Sequence, residues 1–193
     1  SQTRRIAHVH TASIRFCTAC VDCVPSRLLA WVPPCCTMST MHLFSGSSHQ
    51  SLAKDLAKEL QVSLGDVVLK RFSCGEQYVR YDQSVRGQDV YILQSTTHQP
   101  DNDLMELFLL CQAAKLSFAR SVHVVVPHFP YARQDRVAQP RAPISAKMIA
   151  HLLEEAGADH VITLDLHSVQ IQGFFSIPVD ALDGQPIFAE YFK

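Results

Sequence analysis

The sequence predicts an α/β fold in which a parallel, Rossmann-like sheet is flanked by helices on both faces. Three short apolar runs, at residues 90–93, 122–126 and 161–164, are rich in β-branched residues and suit central strands. Segments with apolar residues at helical spacing separate these runs. Strands that alternate with helices along a chain are typical of a parallel sheet with helical crossovers.

The first predicted strand covers residues 41–44 and precedes the central strands. A Ser-Gly-Ser-Ser turn follows, and Ser47 or Ser48 is available as the N-cap of the next helix. The turn also precedes a helix N-terminus, where an anion could bind. Residues 67–72 resemble a strand, and residues 78–81 alternate like one arm of a hairpin.

The second half of the pattern has clear boundaries. Asp101 or Asn102 is expected to cap a long helix, and residues 129–143 are predicted to form a loop because they contain three prolines. A further helix is predicted over residues 144–156, with Gly157 as its C-terminal cap.

Composition indicates a soluble globular protein, expected in the cytoplasm. The 193 residues are 47% hydrophobic and 18% charged, and the formal net charge is −1. This balance gives no broad attraction to nucleic acid or to a membrane surface. No apolar run approaches the ~20 residues that span a bilayer. We therefore expect neither nucleic acid nor a membrane as a partner.

Residues 1–40 differ from the rest and are treated as a separate extension, with one domain over residues 41–193. They contain no glycine, five of the seven cysteines, four arginines and a single acid, so they carry a formal +3 and the remainder −4. A targeting peptide, which would send the protein to an organelle, fits the arginine-rich and acid-poor composition.

Two other interpretations of the extension stay open. Cys17, Cys20 and Cys23 have the spacing of a metal or cluster site whose fourth ligand would be Cys35, Cys36 or a histidine, although no second Cys-x-x-Cys pair supports it. Alternatively, the natural start is Met38 or Met41, and the preceding residues are upstream translation or a disordered tail.

Polar residues follow two predicted central strands, at the sheet edge where ligands bind in open parallel sheets. Arg133 lies in the loop after residues 122–126, and its planar guanidinium suits phosphate oxygens. Asp165 and His167 follow residues 161–164 and would point the same way if the strand direction continued. They are candidate metal ligands. Imidazole is a poor ligand for Mg²⁺, so His167 would contact that ion through water.

Three motifs in this region identify a family. Residues 129–135 read Phe-Pro-Tyr-Ala-Arg-Gln-Asp, residues 165–167 read Asp-Leu-His, and residues 170–175 read Gln-Ile-Gln-Gly-Phe-Phe. Together they resemble the amino-terminal half of ribose-phosphate pyrophosphokinase (PRPP synthetase). The resemblance runs from about residue 41 to 186, and the chain ends near the midpoint of such an enzyme.

The resemblance implies a type I phosphoribosyltransferase-like fold and transfer of pyrophosphate from Mg-ATP to ribose 5-phosphate, which gives PRPP and AMP. It implies Mg²⁺ as cofactor and a homo-oligomer, a hexamer built from dimers. Arg133, Gln134 and Asp135 would bind ATP, and Arg133 and His167 would be catalytic.

Further roles follow from the same resemblance. Phe72 and Glu76 would reach the adenine in a neighbouring subunit. The expected metal positions are Asp165, His167 and Asp180. The expected regulatory phosphate site comprises Ser84, Arg86 and Arg141.

This sequence departs from the family pattern at three places. Cys74 replaces an asparagine that could bond the adenine edge, Ser176 replaces an acid, and the loop after Asp135 is less basic than usual. The family's ribose 5-phosphate loop is absent before Lys193, so the chain alone is not expected to complete the reaction. The alternatives are a non-catalytic PRPP synthetase-associated regulatory subunit and a nucleotide-binding module.

Overall fold

A computed structural model describes residues 41–192. The extension over residues 1–40, with its cysteine motif and possible start sites, lies outside the described residues. In chain order the elements are β1 (Met41–Ser45), α1 (Gln50–Leu60), β2 (Val67–Arg71), β3 (Gln77–Tyr81), β4 (Asp89–Leu93), α2 (Pro100–Leu116), β5 (Ser121–Val126), α3 (Ser145–Ala156), β6 (His160–Leu164), a 3-10 helix (Val169–Phe174), β7 (Val179–Leu182) and α4 (Gln185–Tyr191).

The predicted parallel sheet is confirmed. Five strands pair in parallel in the order β1-β4-β5-β6-β7, and Ile92 in β4 is aligned with Phe44 on one side and Val124 on the other. The predicted hairpin also forms, because β2 and β3 pair antiparallel as a separate two-stranded sheet. Strand β7 and helix α4 were not predicted, since β7 is short and carries Asp180 on its exposed side.

The two faces of the sheet are covered to different extents. Alternate residues such as Val90 and Val122 are fully buried beneath α2 and α3. Leu64, which follows α1, pairs in parallel with Leu43 on the edge of β1 that is away from β4. A right-handed crossover in that direction places α1 on the face of the sheet opposite to α2 and α3. Over β4 to β6 that second face is only partly buried at Tyr91 and His123.

The predicted N-caps of the first two helices are wrong. Helix α1 begins after His49, and α2 begins after Gln99 with Pro100 as its first residue; neither helix has a side-chain cap. Proline suits this position because its fixed φ matches the helix and its missing N–H would have no partner there. The predicted cap of α3 is confirmed, since Gly157 ends the helix with φ 106°.

A buried polar network explains why the serines do not cap α1. Glu106, on α2, accepts hydrogen bonds from Ser47 N at 2.6 Å and Ser47 Oγ at 2.9 Å. Gln94 accepts from Ser48 Oγ at 2.8 Å and donates to Glu106 at 2.9 Å. The chain's own carboxylate thus fills the place where an anion was expected, and the anion site predicted at this turn does not form.

We expect Gly46→Ala to destabilise the protein by about 1–3 kcal/mol, the usual range for overpacking a buried site. A Cβ at Gly46 would lie 2.0 Å from Gln94 Oε1 and 2.8 Å from Glu106 Oε1. Urea unfolding measures the change. Gly173→Ala is the matched control, because a Cβ at Gly173 meets nothing within 4 Å. Equal unfolding midpoints for the two variants would contradict the tight packing at Gly46.

Candidate active site

Two loops meet at the carboxyl edge of the sheet and enclose a pocket of about 400 Å³. One loop leaves β5 and the other leaves β6, which is parallel to it. The pocket is lined by His128, Phe129, Tyr131, Ala132, Arg133, Gln134, Asp165, Leu166 and His167. The structure therefore brings together the two sequence segments that were predicted to share a site.

The loop that follows β5 is held in place by Asp135, whose side chain is buried. One carboxylate oxygen accepts from Arg136 Nε at 2.9 Å, and the other accepts from Gln170 Nε2 at 3.3 Å. The hydrogen bonds from Arg136 hold the pKa of Asp135 below its ordinary value. Asp135 does not line the pocket and lies between the two motifs, and its expected contact with ATP stays a prediction.

Gln134 is held in the pocket wall by the first turn of α3. Its carbonyl oxygen accepts from Ala146 N at 3.2 Å, and its own N donates to Tyr131 O at 2.9 Å. Its side-chain Oε1 accepts a hydrogen bond from the buried hydroxyl of Ser145. Sequence reasoning missed Ser145, although the serine stands at the start of a predicted helix, where a polar contact to the preceding loop is common.

Arg133 is the exposed cation of this pocket. Within residues 41–192 its guanidinium has neither an ion pair nor a hydrogen bond to a carboxylate. The neighbouring Arg136, by contrast, is paired with Asp135. An exposed arginine that lacks an acidic partner and lines a concave site is suited to bind a phosphate group.

Asp165 and His167 both line the pocket, but not for the reason that the sequence suggested. Strand β6 ends at Leu164, and Asp165 has φ 47°, so the extended direction does not continue. Asp165 is fixed instead by the turn before α4: its Oδ1 accepts from Gly184 N at 2.9 Å, and its N donates to Leu182 O at 2.9 Å.

The structure brings together two of the three expected metal positions, Asp165 and His167, and places the third apart from them. Asp180 lies in β7, and its Oδ2 is 3.2 Å from His160 Nε2, at the first residue of β6 and thus away from the pocket. Among the residues with described positions, no three His, Cys, Asp or Glu side chains group around a possible metal position. Asp180 therefore does not line the pocket with Asp165 and His167, and its expected metal role stays a prediction.

Phe72 and Glu76 flank the turn of the hairpin and do not line the pocket. Phe72 N donates to Glu76 O at 2.8 Å, and the Phe72 side chain is 54% exposed. Cys74 is exposed at the tip of the same turn. The turn thus presents an aromatic ring and a carboxylate to the surroundings of the chain.

The first turn of α2 connects this hairpin with the pocket. Asn102 accepts hydrogen bonds from Arg71 at 3.3 Å and from Gln77 at 3.0 Å, beside the hairpin turn. The adjacent Asp101 accepts from the hydroxyl of Tyr131 in the pocket wall. Two neighbouring residues therefore support both regions.

The three residues of the expected regulatory site lie apart within one chain. Ser84 and Arg86 precede β4, and the Arg86 guanidinium lies 4.4 Å from the ring centre of Phe118, just before β5. Arg141 lies in the loop at the carboxyl edge of the sheet, with φ 71°. Ser176, the other departure, is bonded through its N to Glu154 and is not a pocket residue.

Comparison with known proteins identifies the family of this chain. Residues 41–157 match the family model of the N-terminal domain of ribose phosphate pyrophosphokinase. The chain belongs to this family. It is 49% identical over 153 residues to a ribose-phosphate pyrophosphokinase of Bacillus caldolyticus, an alignment that covers 79% of this chain and 49% of that protein.

A solved structure supports the same assignment. The crystal structure of phosphoribosylpyrophosphate synthetase from Mycobacterium smegmatis matches with a TM-score of 0.78 and 42% identity, over 79% of this chain and 51% of that one. The chain thus spans about half the length of the pyrophosphokinase relatives that it matches. In residues 41–192 no helix is long and apolar enough to cross a membrane.

We expect Asp135→Asn to lower the unfolding free energy at neutral pH and the difference from the unchanged chain to shrink in acid. The pKa of Asp135 is depressed in the folded chain, so its stabilising contribution is present above the unfolded value of about 3.9 and is lost as pH falls through the folded value. Urea unfolding at a series of pH values measures this. A difference that is independent of pH would contradict the role of the ionised carboxylate.

Proposed function

We propose that this chain is the ATP-binding half of a ribose-phosphate pyrophosphokinase that transfers pyrophosphate from Mg-ATP to ribose 5-phosphate, giving PRPP and AMP. The observation that carries the proposal is the pocket in which the exposed Arg133 faces the loop of Asp165 and His167. Family membership supplies the reaction class, and the polar pocket at the carboxyl edge supplies a place for the phosphates.

The proposed chemistry forms a bond between the C1 oxygen of ribose 5-phosphate and the β-phosphorus of ATP. The bond from that phosphorus to the oxygen shared with the α-phosphate breaks, and AMP leaves. Arg133 and Gln134 would hold phosphate oxygens in line, since alignment and charge neutralisation provide most of the catalysis in phosphoryl transfer. His167, on the facing loop, would bind the transferred group or its hydration shell.

The donor set of the pocket fits a magnesium ion that arrives with ATP. Asp165 offers a carboxylate whose Oδ1 is engaged with Gly184 N, which leaves Oδ2 as a hard oxygen ligand, and His167 would contact the ion through water. Magnesium bound there would neutralise charge on the phosphate oxygens. Asp180 is excluded from this proposal because its carboxylate pairs with His160.

Oligomerisation is part of the proposal. Phe72 and Glu76 are exposed and do not line their own chain's pocket, which suits residues that reach the adenine of a neighbouring subunit in a hexamer built from dimers. With Cys74 in place of an amide, that turn lacks one donor and acceptor for a purine edge. Ser84 and Arg86 could join Arg141 in a regulatory phosphate site only if different chains supply them. We place the assembly in the cytoplasm.

The test of the proposed function is an assay of the native gene product with Mg-ATP and ribose 5-phosphate. Formation of PRPP together with AMP, in equal amounts, is the expected result. Binding of Mg-ATP without AMP formation and without an effect of ribose 5-phosphate would instead support a nucleotide-binding module, and formation of ADP would contradict pyrophosphate transfer.

We expect Arg133→Ala to reduce turnover roughly 10²-fold, the scale for loss of one preorganised donor to a developing charge. Arg133→Lys keeps the charge without the planar fork, so an intermediate loss is expected. Arg80→Ala is the control, since Arg80 is exposed and paired with Asp82 on the hairpin. Turnover of Arg133→Ala close to that of the control would sink the assignment of Arg133.

A further inference from the structure

Ser145 is a buried polar residue beside the candidate active site, and the proposed chemistry assigns it no role. It is the first residue of α3, it is only 7% exposed, and it does not line the pocket. Its hydroxyl donates a hydrogen bond to the side-chain Oε1 of Gln134, which does line the pocket. Among the residues that the structure describes, this hydroxyl has no other hydrogen-bond partner.

Gln134 is held at three of its four polar atoms. Its main-chain N donates to Tyr131 O at 2.9 Å, its main-chain O accepts from Ala146 N at 3.2 Å, and its Oε1 accepts from Ser145. The fourth atom, Nε2, has no acceptor within residues 41–192. Oε1 and Nε2 are attached to the same planar carbon, so the hydrogen bond that fixes one also fixes the direction of the other. The two N–H donors of Nε2 are therefore left to the pocket.

The buried hydroxyl determines which end of the amide is turned toward it. A hydroxyl both donates and accepts, so a side-chain amide could present either its oxygen or its nitrogen to Ser145. If the nitrogen were presented, Nε2 would donate to Ser145 Oγ, and the hydroxyl proton would have no acceptor among the described residues. A buried donor without a partner is unfavourable. The orientation with Oε1 toward Ser145 satisfies this proton and is therefore favoured.

We propose that Ser145 is a positioning residue of the candidate active site, which fixes the amide of Gln134 so that Nε2 donates to a phosphate oxygen of the nucleotide. This inference rests on the proposed function, because it takes the phosphates of Mg-ATP to be the ligand of the pocket. Ser145 acts through Gln134 and does not touch the ligand itself.

The fixed amide gives the two walls of the pocket opposite hydrogen-bonding character. On the loop after β5, Arg133 has only donors, and Gln134 adds the donors of Nε2. On the loop after β6, Asp165 has a carboxylate oxygen that is not engaged by Gly184. A phosphate group that carries a cation needs donors for its own oxygens and an oxygen ligand for the cation. A reversed amide would instead direct a carbonyl oxygen at the phosphate oxygens and repel them.

The hydrogen bond from Ser145 also orders Gln134 before the ligand binds. Gln134 is exposed, and an exposed glutamine without such a bond moves among many rotamers. Binding would then have to order this side chain, which lowers the affinity. A donor that is already in place needs no such ordering, and it can stabilise the charge on the phosphate oxygens during transfer.

A double-mutant cycle on the complete native protein, with PRPP formation as the readout, tests whether Ser145 acts through Gln134. We expect Ser145→Ala to lower kcat/KM for Mg-ATP roughly threefold to tenfold, the effect of one neutral hydrogen bond. The KM for ribose 5-phosphate should stay unchanged, whereas a general distortion of the fold would raise it. In the Gln134→Ala background, Ser145→Ala should change kcat/KM by less than about twofold. Equal losses in both backgrounds would overturn the proposal.

The matched control for this cycle is Ser51→Ala. Ser51 is an exposed serine of α1, so this variant also loses one hydroxyl but leaves the pocket as it is. We expect it to match the unchanged protein in kcat/KM. A loss in Ser145→Ala no larger than that of the control would contradict the proposal.

Gln134→Glu and Gln134→Ala test the orientation of the amide, and their comparison is decisive even where Ser145→Ala does not fold. Glutamate has the shape of glutamine, and Ser145 can still donate to one of its carboxylate oxygens, which places the other oxygen where Nε2 stood. We expect Gln134→Glu to bind Mg-ATP roughly tenfold more weakly than Gln134→Ala in calorimetric titrations, because the carboxylate repels the phosphates. Equal or tighter binding by Gln134→Glu would show that the carbonyl end faces the pocket and would refute the proposal.

Measuring binding and turnover separately distinguishes this inference from the proposed function. A native protein that binds Mg-ATP but forms no PRPP would contradict the proposed function, while the order of the two Gln134 variants in the titrations would still decide the role of the amide. Absence of Mg-ATP binding by the native protein would overturn both.

Discussion

The parallel pairing of β5 with β6 determines where the candidate active-site residues lie. Parallel strands must leave the sheet at the same edge, so the loop that carries Arg133 and the loop that carries Asp165 emerge side by side. Side-chain hydrogen bonds then hold each of the two loops in place. Asp135 joins one loop to the 3-10 helix through Gln170, and Gly184 fixes the other through Asp165. The pocket at this edge therefore results first from backbone geometry.

The protein separates acids that hold structure from groups that face the pocket. Glu106 and Asp135 are buried, and each is surrounded by donors of its own chain. Buried carboxylates of this kind require such donors, since an unpaired buried charge is very costly. Arg133 is exposed and has no such partner among the described residues. The contrast distinguishes a side chain that is used to fold the loop from one that remains available to a phosphate.

The fold and the place of the site could be predicted from sequence because both depend on local patterns. Apolar β-branched runs identified β4, β5 and β6, and the residues after β5 and β6 identified the pocket. The caps of α1 and α2 could not be predicted, because Ser47 is taken by Glu106, 59 residues away. The place of Asp180 also depends on long-range pairing: β7 is aligned so that Asp180 faces His160 instead of the pocket. The periodicity of a single sequence carries no information about either contact.

The adjacent positions of Asp101 and Asn102 affect how sequence variants of this protein should be interpreted. One residue supports the pocket wall through Tyr131, and the next supports the hairpin turn through Arg71 and Gln77. A disturbance of this single helical turn would therefore reach the candidate active-site pocket and the exposed hairpin turn at once. A natural variant there could disturb both regions together, although it lies in neither of them.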